Sequence, residues 1–283
     1  MKKHINKGEK GDKMRRIGII YRPVKGMEDK ESAAMIRGLG FEGVFTGYPS
    51  AERARSFAET FAATGLDYES IHAPFKGIND IWSPDECGDV MLNQLIDCTR
   101  TCAELKVPVM VVHLSSRNDA PCVNDVGHAR WDKLVDTAVK YGVNVAFENQ
   151  RKLANLAFVM ELYRKVPNVG FCWDCGHELC YTPNIEYMKL FGNRLMYTHI
   201  HDNLGIVNGT LEEPDGDDLH LLPFDGRMDY NHFAELIKAS GFTGTLTLEV
   251  CKYDRPDYAA KYSPEEFFVE AAKRARRVAE LCE

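Results

Sequence analysis

Apolar residues along this chain follow two alternating patterns. Short apolar runs are separated by longer segments in which apolar residues recur every three or four positions. The first pattern is typical of β-strands buried on both faces, and the second is typical of amphipathic helices. The apolar runs predict strands at residues 16–21, 43–48, 68–74, 107–115, 144–149, 169–174, 195–203 and 243–250.

A helical pattern lies between most of these strands, and local signals mark some of the helix ends. Gly65 and Gly142 stand where helix-terminating residues belong. Two Ser-Pro-x-Glu sequences, at Ser83 and Ser263, predict capping boxes. The predicted helices cover residues 31–39, 54–61, 83–105, 131–141, 153–165, 187–191, 230–240 and 263–281.

Eight strands alternating with helical segments predict one α/β domain, a single (β/α)8 TIM barrel. The chain has 283 residues, which suffices for one such barrel. We expect residues 14–283 to form it. Residues 1–13 are rich in Lys and Gly and contain no apolar run, so they are predicted to be a disordered N-terminal extension.

Composition narrows the classes of function. The chain has 35 basic and 42 acidic residues, a net charge of −7, which argues against nucleic acid as a partner. No apolar run reaches the roughly 18 residues of a membrane span. Nine cysteines, an odd number scattered through apolar segments, suit free thiols better than a disulfide framework. We therefore expect a cytoplasmic protein.

Polar residues collect at the carboxyl ends of the predicted strands, where such barrels build their active sites. In residues 197–203 (YTHIHDN), alternation places His199 and His201 on the same face of a strand. Six of the nine histidines lie at strand ends or in the loop after the seventh strand. The polar residues concerned are His72, His113, Glu148, Asp174, His177, His199, His201, Asp218, His220 and Glu249.

Four of these residues suit a divalent metal ion. Glu148, Asp174, His199 and Glu249 offer three carboxylates and one imidazole, which favours Mn²⁺, Mg²⁺ or Co²⁺, whereas more imidazole ligands would favour Zn²⁺. Each residue alone is compatible with a hydrogen-bonded polar side chain at a barrel mouth. Their convergence at one end of the barrel favours the metal site.

The motifs around these residues, taken in order, resemble the xylose isomerase-like barrel superfamily. That superfamily contains sugar phosphate isomerases and epimerases, and also the endonuclease IV type of AP endonuclease (AP endonuclease family 2). The resemblance extends over nearly the whole chain from about residue 16. It is carried by SIHAPF at His72, VVHLSS at His113, AFEN at Glu148, WDCGH at Asp174 and His177, THIHDN at His199, DLHLLPFDGRMDY at Asp218 and His220, and TLEV at Glu249.

The resemblance implies roles for these side chains. In the isomerases and epimerases, positions like Glu148, Asp174, His199 and Glu249 bind one divalent metal ion, and His177 is similar to a position that contacts substrate oxygens. We assign His72, His113, His177, His201 and His220 to substrate binding. For His201 the alternative is a role in orienting a ligand carboxylate.

The expected reaction is isomerisation or epimerisation of a sugar or sugar-like hydroxy-ketone. The metal ion would polarise the carbonyl and stabilise an enediolate, while Glu148 and Glu249 act as acid and base on the α-proton. A hydride shift is the alternative route. Arg151, Lys152 and Lys252 could bind a substrate phosphate or carboxylate, or they could be solvated loop charges.

Other functions stay open at this point. In the endonuclease branch three zinc ions use positions like His72, His113, His177, Asp218 and His220, which implies a phosphoesterase acting on abasic DNA. A related barrel could be a lyase or a subunit of a C-glycoside-modifying complex, and a non-catalytic binding module is the remaining class. The sequence leaves the substrate, the identity of the metal and a homo-oligomeric state open.

Overall fold

The computed structural model describes residues 14–207, 216–250, 253 and 255–283. The predicted N-terminal extension at 1–13, part of the loop after the seventh strand, and Lys252 lie outside the described residues. Within them, no helix combines the length and the apolar character needed to cross a membrane.

Eight strands alternate with helices in the order expected for a barrel. The strands are β1 (Ile17–Ile20), β2 (Gly43–Gly47), β3 (Asp67–His72), β4 (Val109–Val112), β5 (Asn144–Glu148), β6 (Val169–Asp174), β7 (Leu195–His199) and β8 (Leu246–Leu248). The helices are α1 (Asp29–Gly38), α2 (Ala51–Thr64), α3 (Glu86–Leu105), α4 (Asp125–Tyr141), α5 (Leu153–Leu162), α6 (Cys175–Tyr181), α7 (Tyr187–Phe191), α8 (Tyr230–Ser240), α9 (Pro256–Ala259) and α10 (Pro264–Leu281). Two short 3₁₀ helices cover Ile78–Trp82 and Gly192–Arg194.

The strands form one parallel sheet in the order β7-β6-β5-β4-β3-β2-β1-β8. The two outer strands meet just beyond their regular parts. The amide of Ile200 donates to the carbonyl of Thr247 and the amide of Glu249 donates to the carbonyl of Ile200, both at 2.9 Å. The prediction of a single (β/α)8 barrel is therefore confirmed. Because all strands are parallel, their carboxyl ends lie at the same end of the barrel.

Helix ends follow the local signals where no tertiary contact competes with them. Ser263 accepts from the Glu266 amide and Glu266 reaches back to Ser263, so the predicted capping box of α10 is confirmed. The capping box predicted at Ser83 is wrong, because α3 begins at Glu86 with Asp85 at its N-cap. The buried guanidinium of Arg130 donates to the carbonyls of Ser83 and Asp85, and these contacts from α4 set the path of the segment.

Two further differences concern helices around the mouth of the barrel. Helix α4 begins six residues earlier than predicted, at Asp125, because Asn124 caps it by accepting from the Gly127 amide at 2.9 Å. Helix α6 follows β6 directly and was not predicted. This helix has seven residues and is capped by the Asp174 side chain, which accepts from the His177 amide at 2.6 Å. This cap places His177 beside the barrel mouth.

Candidate metal centre

The polar strand ends meet around one cavity at the carboxyl end of the barrel. The cavity has a volume of about 590 Å³. His72, His113, Glu148, His177, Asp218, His220 and Glu249 all line it. Asp174, His199 and His201 lie beneath this surface and are fully buried. Side chains separated by up to about 180 positions in the sequence are thus brought together by the parallel sheet.

The four predicted metal ligands form one compact set, the central group: Glu148, Asp174, His199 and Glu249. One ligand atom from each lies within 4.8 Å of the others. His199 presents Nδ1 to both glutamates, at 3.3 Å from Glu148 Oε1 and 3.2 Å from Glu249 Oε2. Its ring stacks on Phe45, with centroids 4.5 Å apart, which fixes the plane of the imidazole.

The Glu148 carboxylate contacts four imidazoles of the centre. Its Oε1 lies 3.2 Å from His177 Nδ1 and 3.3 Å from His199 Nδ1. Its Oε2 lies 3.0 Å from His113 Nε2 and 3.3 Å from His72 Nε2. Each oxygen thus faces a different pair of imidazoles, the arrangement of a carboxylate that bridges two neighbouring sites.

Three further sets of potential ligands adjoin the central group, each with ligand atoms within 4.8 Å of one another. The first is His72, His113 and Glu148; the second is Asp174, His177 and His201; the third is His201, Asp218 and His220. Glu148 and Asp174 belong both to the central group and to one of these sets. The predicted substrate-binding histidines therefore all lie within ligand distance of another candidate metal ligand.

Hydrogen bonds to backbone carbonyls orient two of these imidazoles toward the cavity. The Nδ1 of His72 donates to the carbonyl of Ala73 at 2.8 Å, and the Nδ1 of His220 donates to the carbonyl of Glu249 at 2.8 Å. Since Nδ1 carries the proton in a neutral imidazole of this kind, Nε2 presents a lone pair. His72 Nε2 then faces His113 Nε2 at 3.1 Å and a carboxylate oxygen of Glu148. A cation at this point would resolve the clustering of lone pairs, so the residues fit a metal ion.

The electrostatics of the centre favour ionised carboxylates. Burial would raise the pKa of Glu148, but the charge of His199 and the hydrogen bonds from His113 and His177 outweigh it and hold that pKa well below its usual value. Burial is likewise outweighed at Asp174, whose pKa is lowered by His177 and His201. Carboxylates that stay ionised although they are fully buried require nearby positive charge. Protonated imidazoles or a bound divalent ion supply that charge.

Asn149 locks the backbone that carries two of the ligands. Its side-chain amide donates to the carbonyl of Asp174 and its amide oxygen accepts from the Asp174 N–H, both at 2.8 Å. This reciprocal pair ties the end of β5 to the end of β6. Glu148 and Asp174 are therefore held at a fixed separation by a side chain that does not itself reach the cavity.

Replacing Asn149 by alanine should lower the free energy of unfolding by about 2–3 kcal/mol, because two buried backbone groups of Asp174 lose their partners. We also expect metal affinity to fall about 10- to 100-fold, as for other residues that orient ligands. Titration with Mn²⁺ and chemical unfolding measure the two effects. Asn168→Ala, at the far end of the same strand pair, is the matched control. Unchanged metal affinity in a destabilised Asn149→Ala variant would limit the two Asn149 hydrogen bonds to a role in folding.

The structure also shows which of the predicted residues line the cavity. His201 does not line the cavity: its Nε2 lies 3.0 Å from Asp174 Oδ1, and its ring stacks on His220 with centroids 4.1 Å apart. Its contacts are those of a residue that orients a ligand carboxylate. Among the candidate cations, Arg151 lines the cavity, whereas Lys152 donates to the carbonyl of Ala120.

Sequence reasoning did not single out two residues that the structure places at the centre. Gln150 has its side-chain nitrogen 3.1 Å from both His113 Nε2 and His177 Nδ1. Tyr181, at the end of α6, stacks on His177 with centroids 4.8 Å apart. The position of Gln150 two residues beyond a strand-end glutamate was the available signal. Tyr181 carried none, because α6 itself was not predicted.

The fold and the centre together define a class of protein: a single (β/α)8 barrel with carboxylates and imidazoles gathered at the carboxyl ends of its strands. The sequence profile described as xylose isomerase-like TIM barrel matches residues 33–278. The chain belongs to the xylose isomerase-like TIM barrel family.

Two relatives are similar to this chain in sequence. Protein y4fM of Sinorhizobium fredii is 32% identical in an alignment of 225 residues that covers 66% of this chain and 68% of y4fM. Protein MJ1311 of Methanocaldococcus jannaschii is 23% identical in an alignment of 194 residues that covers 63% of each chain. Both relatives are uncharacterized, so they support the family and not a particular reaction.

Solved structures share the barrel at lower identity. The 3-keto-D-glucoside 4-epimerase YcjR of E. coli has a TM-score of 0.70 and 15% identity, covering 93% of this chain and 99% of that one. The D-psicose 3-epimerase of Clostridium cellulolyticum H10, solved with D-tagatose, has a TM-score of 0.68 and 14% identity, covering 94% and 98%. The IOLI protein with a zinc atom has a TM-score of 0.69 and 19% identity, covering 94% and 98%. These likenesses show the fold.

Proposed function

We propose that the protein is a divalent-metal-dependent isomerase or epimerase that acts on a sugar or sugar-like hydroxy-ketone. The observation that carries this proposal is the central group, in which Glu148, Asp174, His199 and Glu249 bring ligand atoms within 4.8 Å of one another. Three carboxylates and one imidazole suit Mn²⁺, Mg²⁺ or Co²⁺, and Zn²⁺ is compatible with the same donors. The barrel is shared with solved sugar epimerases and with a zinc-containing protein, which supports both parts of the proposal.

When bound, the ion would supply Lewis-acid polarisation of a substrate carbonyl and so make the neighbouring C–H more acidic. Side chains of the protein then have to remove the α-proton of the substrate and return a proton to it. Glu249 directly follows β8 and Glu148 ends β5, so the two carboxylates reach the cavity from the ends of strands that are not neighbours in the sheet. A base on one side and an acid on the other are what epimerisation or aldose–ketose isomerisation requires.

The surroundings of the two glutamates differ in a way that suggests separate tasks. Glu148 is almost fully buried, with its side chain 1% exposed, and is held by four imidazoles. The Glu249 side chain is 15% exposed and faces His199 alone among them. Glu249 has the greater freedom to approach a substrate carbon. We infer that Glu249 removes the α-proton. Glu148 anchors the ion and passes to the substrate a proton drawn from the His177 imidazole, whose Nδ1 lies 3.2 Å from Glu148 Oε1.

Exchange of the substrate α-proton with solvent deuterium tests this proposal without knowledge of the product. We expect the wild-type protein with Mn²⁺ to catalyse exchange in at least one member of a panel of ketoses and ketose phosphates, followed by ¹H NMR. Glu249→Gln should reduce exchange about a thousandfold, because the amide cannot accept the proton. Glu178→Gln is the matched control, since this half-buried carboxylate accepts from Trp173 and lies outside the cavity lining. Equal exchange rates in Glu249→Gln and wild type would contradict the assignment of the base.

One observation favours a second candidate function, a zinc-dependent phosphoesterase acting on abasic DNA. Two of the three additional ligand sets share a carboxylate with the central group, Glu148 in one and Asp174 in the other, and the third is joined to the second through His201. A multinuclear centre would require such shared ligands. Asp218 completes this arrangement, with Oδ2 at 3.0 Å from His220 Nε2 and 3.6 Å from His177 Nε2. Neighbouring ions a few ångströms apart can stabilise both the attacking and the leaving oxygen in phosphoryl chemistry.

Asp218→Asn separates the two candidates, because Asp218 belongs to an outer set and not to the central group. If one ion serves proton transfer, the variant should keep about one metal equivalent and most of its deuterium-exchange activity. If several zinc ions serve phosphoester cleavage, the variant should lose about one of three zinc equivalents. It should also lose the ability to cleave an abasic oligonucleotide. Metal analysis beside both assays makes the distinction. His128→Gln, on the outer helix α4, is the control.

A cytoplasmic location also belongs to this proposal. All eight cysteines in the described part of the chain are free thiols, and six of them are buried. Free buried thiols are typical of proteins kept in a reducing compartment.

A further inference from the structure

Three cations stand at the mouth of the cavity and have no part in the central group. Lys76 follows β3, Arg117 follows β4 and Arg151 follows β5, and all three line the cavity that the candidate metal ligands line. Because β3, β4 and β5 are adjacent in the sheet, the three cations arise from neighbouring loops. We call these residues the cationic rim.

Arg117 is positioned by a clamp between two of these loops. The Asn79 side chain donates to the carbonyl of Ser116 at 3.0 Å and accepts from the Ser116 N–H at 2.8 Å. Arg117 then adopts a φ of +65°, in the left-handed region that residues with a side chain rarely enter. Such a conformation costs of order 1–3 kcal/mol and persists where surrounding contacts determine it, often at ligand sites.

Arg151 is coupled to the candidate metal ligands through one aromatic ring. Its guanidinium lies 3.6 Å from the centroid of the Tyr181 ring, and Tyr181 in turn stacks on His177. Contact with the aromatic ring fixes the orientation of the guanidinium, a planar group whose geometry matches a phosphate or carboxylate through two parallel hydrogen bonds. The Tyr181 ring therefore fixes the position of Arg151 relative to His177, although Arg151 is not one of the candidate metal ligands.

Lys76 follows Phe75, whose ring lies against the candidate metal ligands. The Phe75 ring contacts His72 and His113, with centroids 5.2 Å and 4.8 Å apart, and covers that side of the centre. Lys76 itself is exposed at the entrance. The cationic rim therefore lies outward of the metal ligands, so that a ligand spanning both would have its anionic end near solvent.

The cationic rim differs in charge from the inner part of the cavity. Glu148, Asp218 and Glu249 line the inner part, and the whole chain is acidic, with a net charge of −7. Composition alone would not place three cations at this entrance. A neutral sugar gains little from them, whereas an anion gains charge-assisted hydrogen bonds. A volume of about 590 Å³ is within the usual range for a small-molecule site.

We propose that the cationic rim binds a phosphate or carboxylate group of a small sugar-derived substrate, while its hydroxy-ketone end reaches the central group. This inference rests on the proposed function, since it names the substrate class of the same cavity. The rim selects anionic polyols, such as sugar phosphates or sugar acids, over their neutral counterparts.

Anion binding to the full-length protein as purified tests the proposal by calorimetry. The probes are glucose 6-phosphate for the phosphate, gluconate for the carboxylate, and glucose as the neutral reference. The variant is Arg117→Gln/Arg151→Gln. The matched control is Arg100→Gln/Arg164→Gln, which removes two exposed arginines paired with Asp97 and Glu161 and makes the same change in charge. Any metal contribution to anion binding is common to all these proteins.

We expect wild type and control to bind at least one of the two anions more tightly than glucose, and the Arg117/Arg151 variant to lose about tenfold or more of that affinity. The preferred anion identifies the group as phosphate or carboxylate. Equal affinity in variant and control, or no preference over glucose, would overturn the proposal. Tight binding of an abasic duplex without binding of either small anion would also overturn it in favour of nucleic acid.

The binding measurement needs no turnover, so the two proposals fail separately. Anion binding that depends on the rim, without α-proton exchange in any ketose phosphate or keto sugar acid, would contradict the proposed reaction and keep the rim as an anion site. Exchange in neutral ketoses, unaffected by the double substitution, would keep the reaction and contradict the rim.

Discussion

Replacing Glu148 by glutamine is expected to lower turnover about ten-thousandfold or more, the largest effect of any single substitution in this protein. The carboxylate belongs to the central group, and its two oxygens also face His72, His113 and His177. Glutamine keeps the volume but replaces one oxygen by an amide nitrogen that cannot ligate a cation. The variant should therefore lose bound metal together with activity, which metal analysis and the deuterium-exchange assay measure on the same preparation.

The control for this substitution is Glu69→Gln on β3. Glu69 is also largely enclosed, but it accepts from Arg16 and Thr245 and lies outside the cavity lining. We expect Glu69→Gln to retain metal and turnover. Persistence of metal binding and of more than about a tenth of the activity in Glu148→Gln would contradict the role of Glu148 as ligand and acid.

Removing the metal is expected to produce the second large effect, a loss of thermal stability. Without a cation, three carboxylates of the central group share one small space with a single imidazole of their own set. An ion bound at about a thousand times its Kd adds about 4 kcal/mol to the free energy of unfolding. For a chain of this size that corresponds to a decrease in Tm of roughly 10 °C on chelation. Differential scanning calorimetry with and without a chelator measures it.

Re-addition of Mn²⁺, Co²⁺ or Zn²⁺ should restore the Tm, and the ion that restores most identifies the preferred metal. The Asp174→Asn variant provides the control, because it lacks a ligand of the central group and should show little response to chelator. A wild-type Tm that is the same with chelator and with each added metal would contradict a structural contribution from the ion.

Much of the fold followed from the sequence because strands buried on both faces leave a simple signal. β5 and β6 lie at or within one residue of the predicted ranges, and Gly65, Gly142 and Gly241 end their helices in the left-handed conformation. The predictions that were wrong concern features that tertiary contacts determine. The N-terminus of α3 is shaped by Arg130, a residue about 45 positions away, and no local pattern at Ser83 reveals that contact.

The candidate centre was predictable in its membership and not in its geometry. A parallel barrel brings strand ends together, so His199 and Glu249 could be grouped from their positions alone. The sequence does not state which way a side chain turns beyond the strand. His201 shares a face with His199, yet it turns to Asp174 and away from the cavity. The bridging of Glu148 between two pairs of imidazoles likewise required coordinates.

The arrangement of Glu148 also decides how the two candidate functions relate. A single ion in the central group leaves His72 and His113 free to contact substrate oxygens, as the isomerase proposal requires. Additional ions would occupy the space between Glu148 and those histidines. The same residues therefore serve either chemistry, and the number of ions bound determines which one the cavity can support.

Metal content per chain tests most directly whether these strand ends form a divalent-metal centre. It is measured by plasma mass spectrometry on protein purified without chelator or affinity-tag metal, beside the Asp174→Asn variant. We expect about one equivalent of an exchangeable divalent ion in the wild type and a clear loss in the variant, whereas about three equivalents of zinc would favour the phosphoesterase. Protein that carries no divalent metal and binds none on titration with Mn²⁺, Co²⁺ or Zn²⁺ would contradict a metal centre at these strand ends.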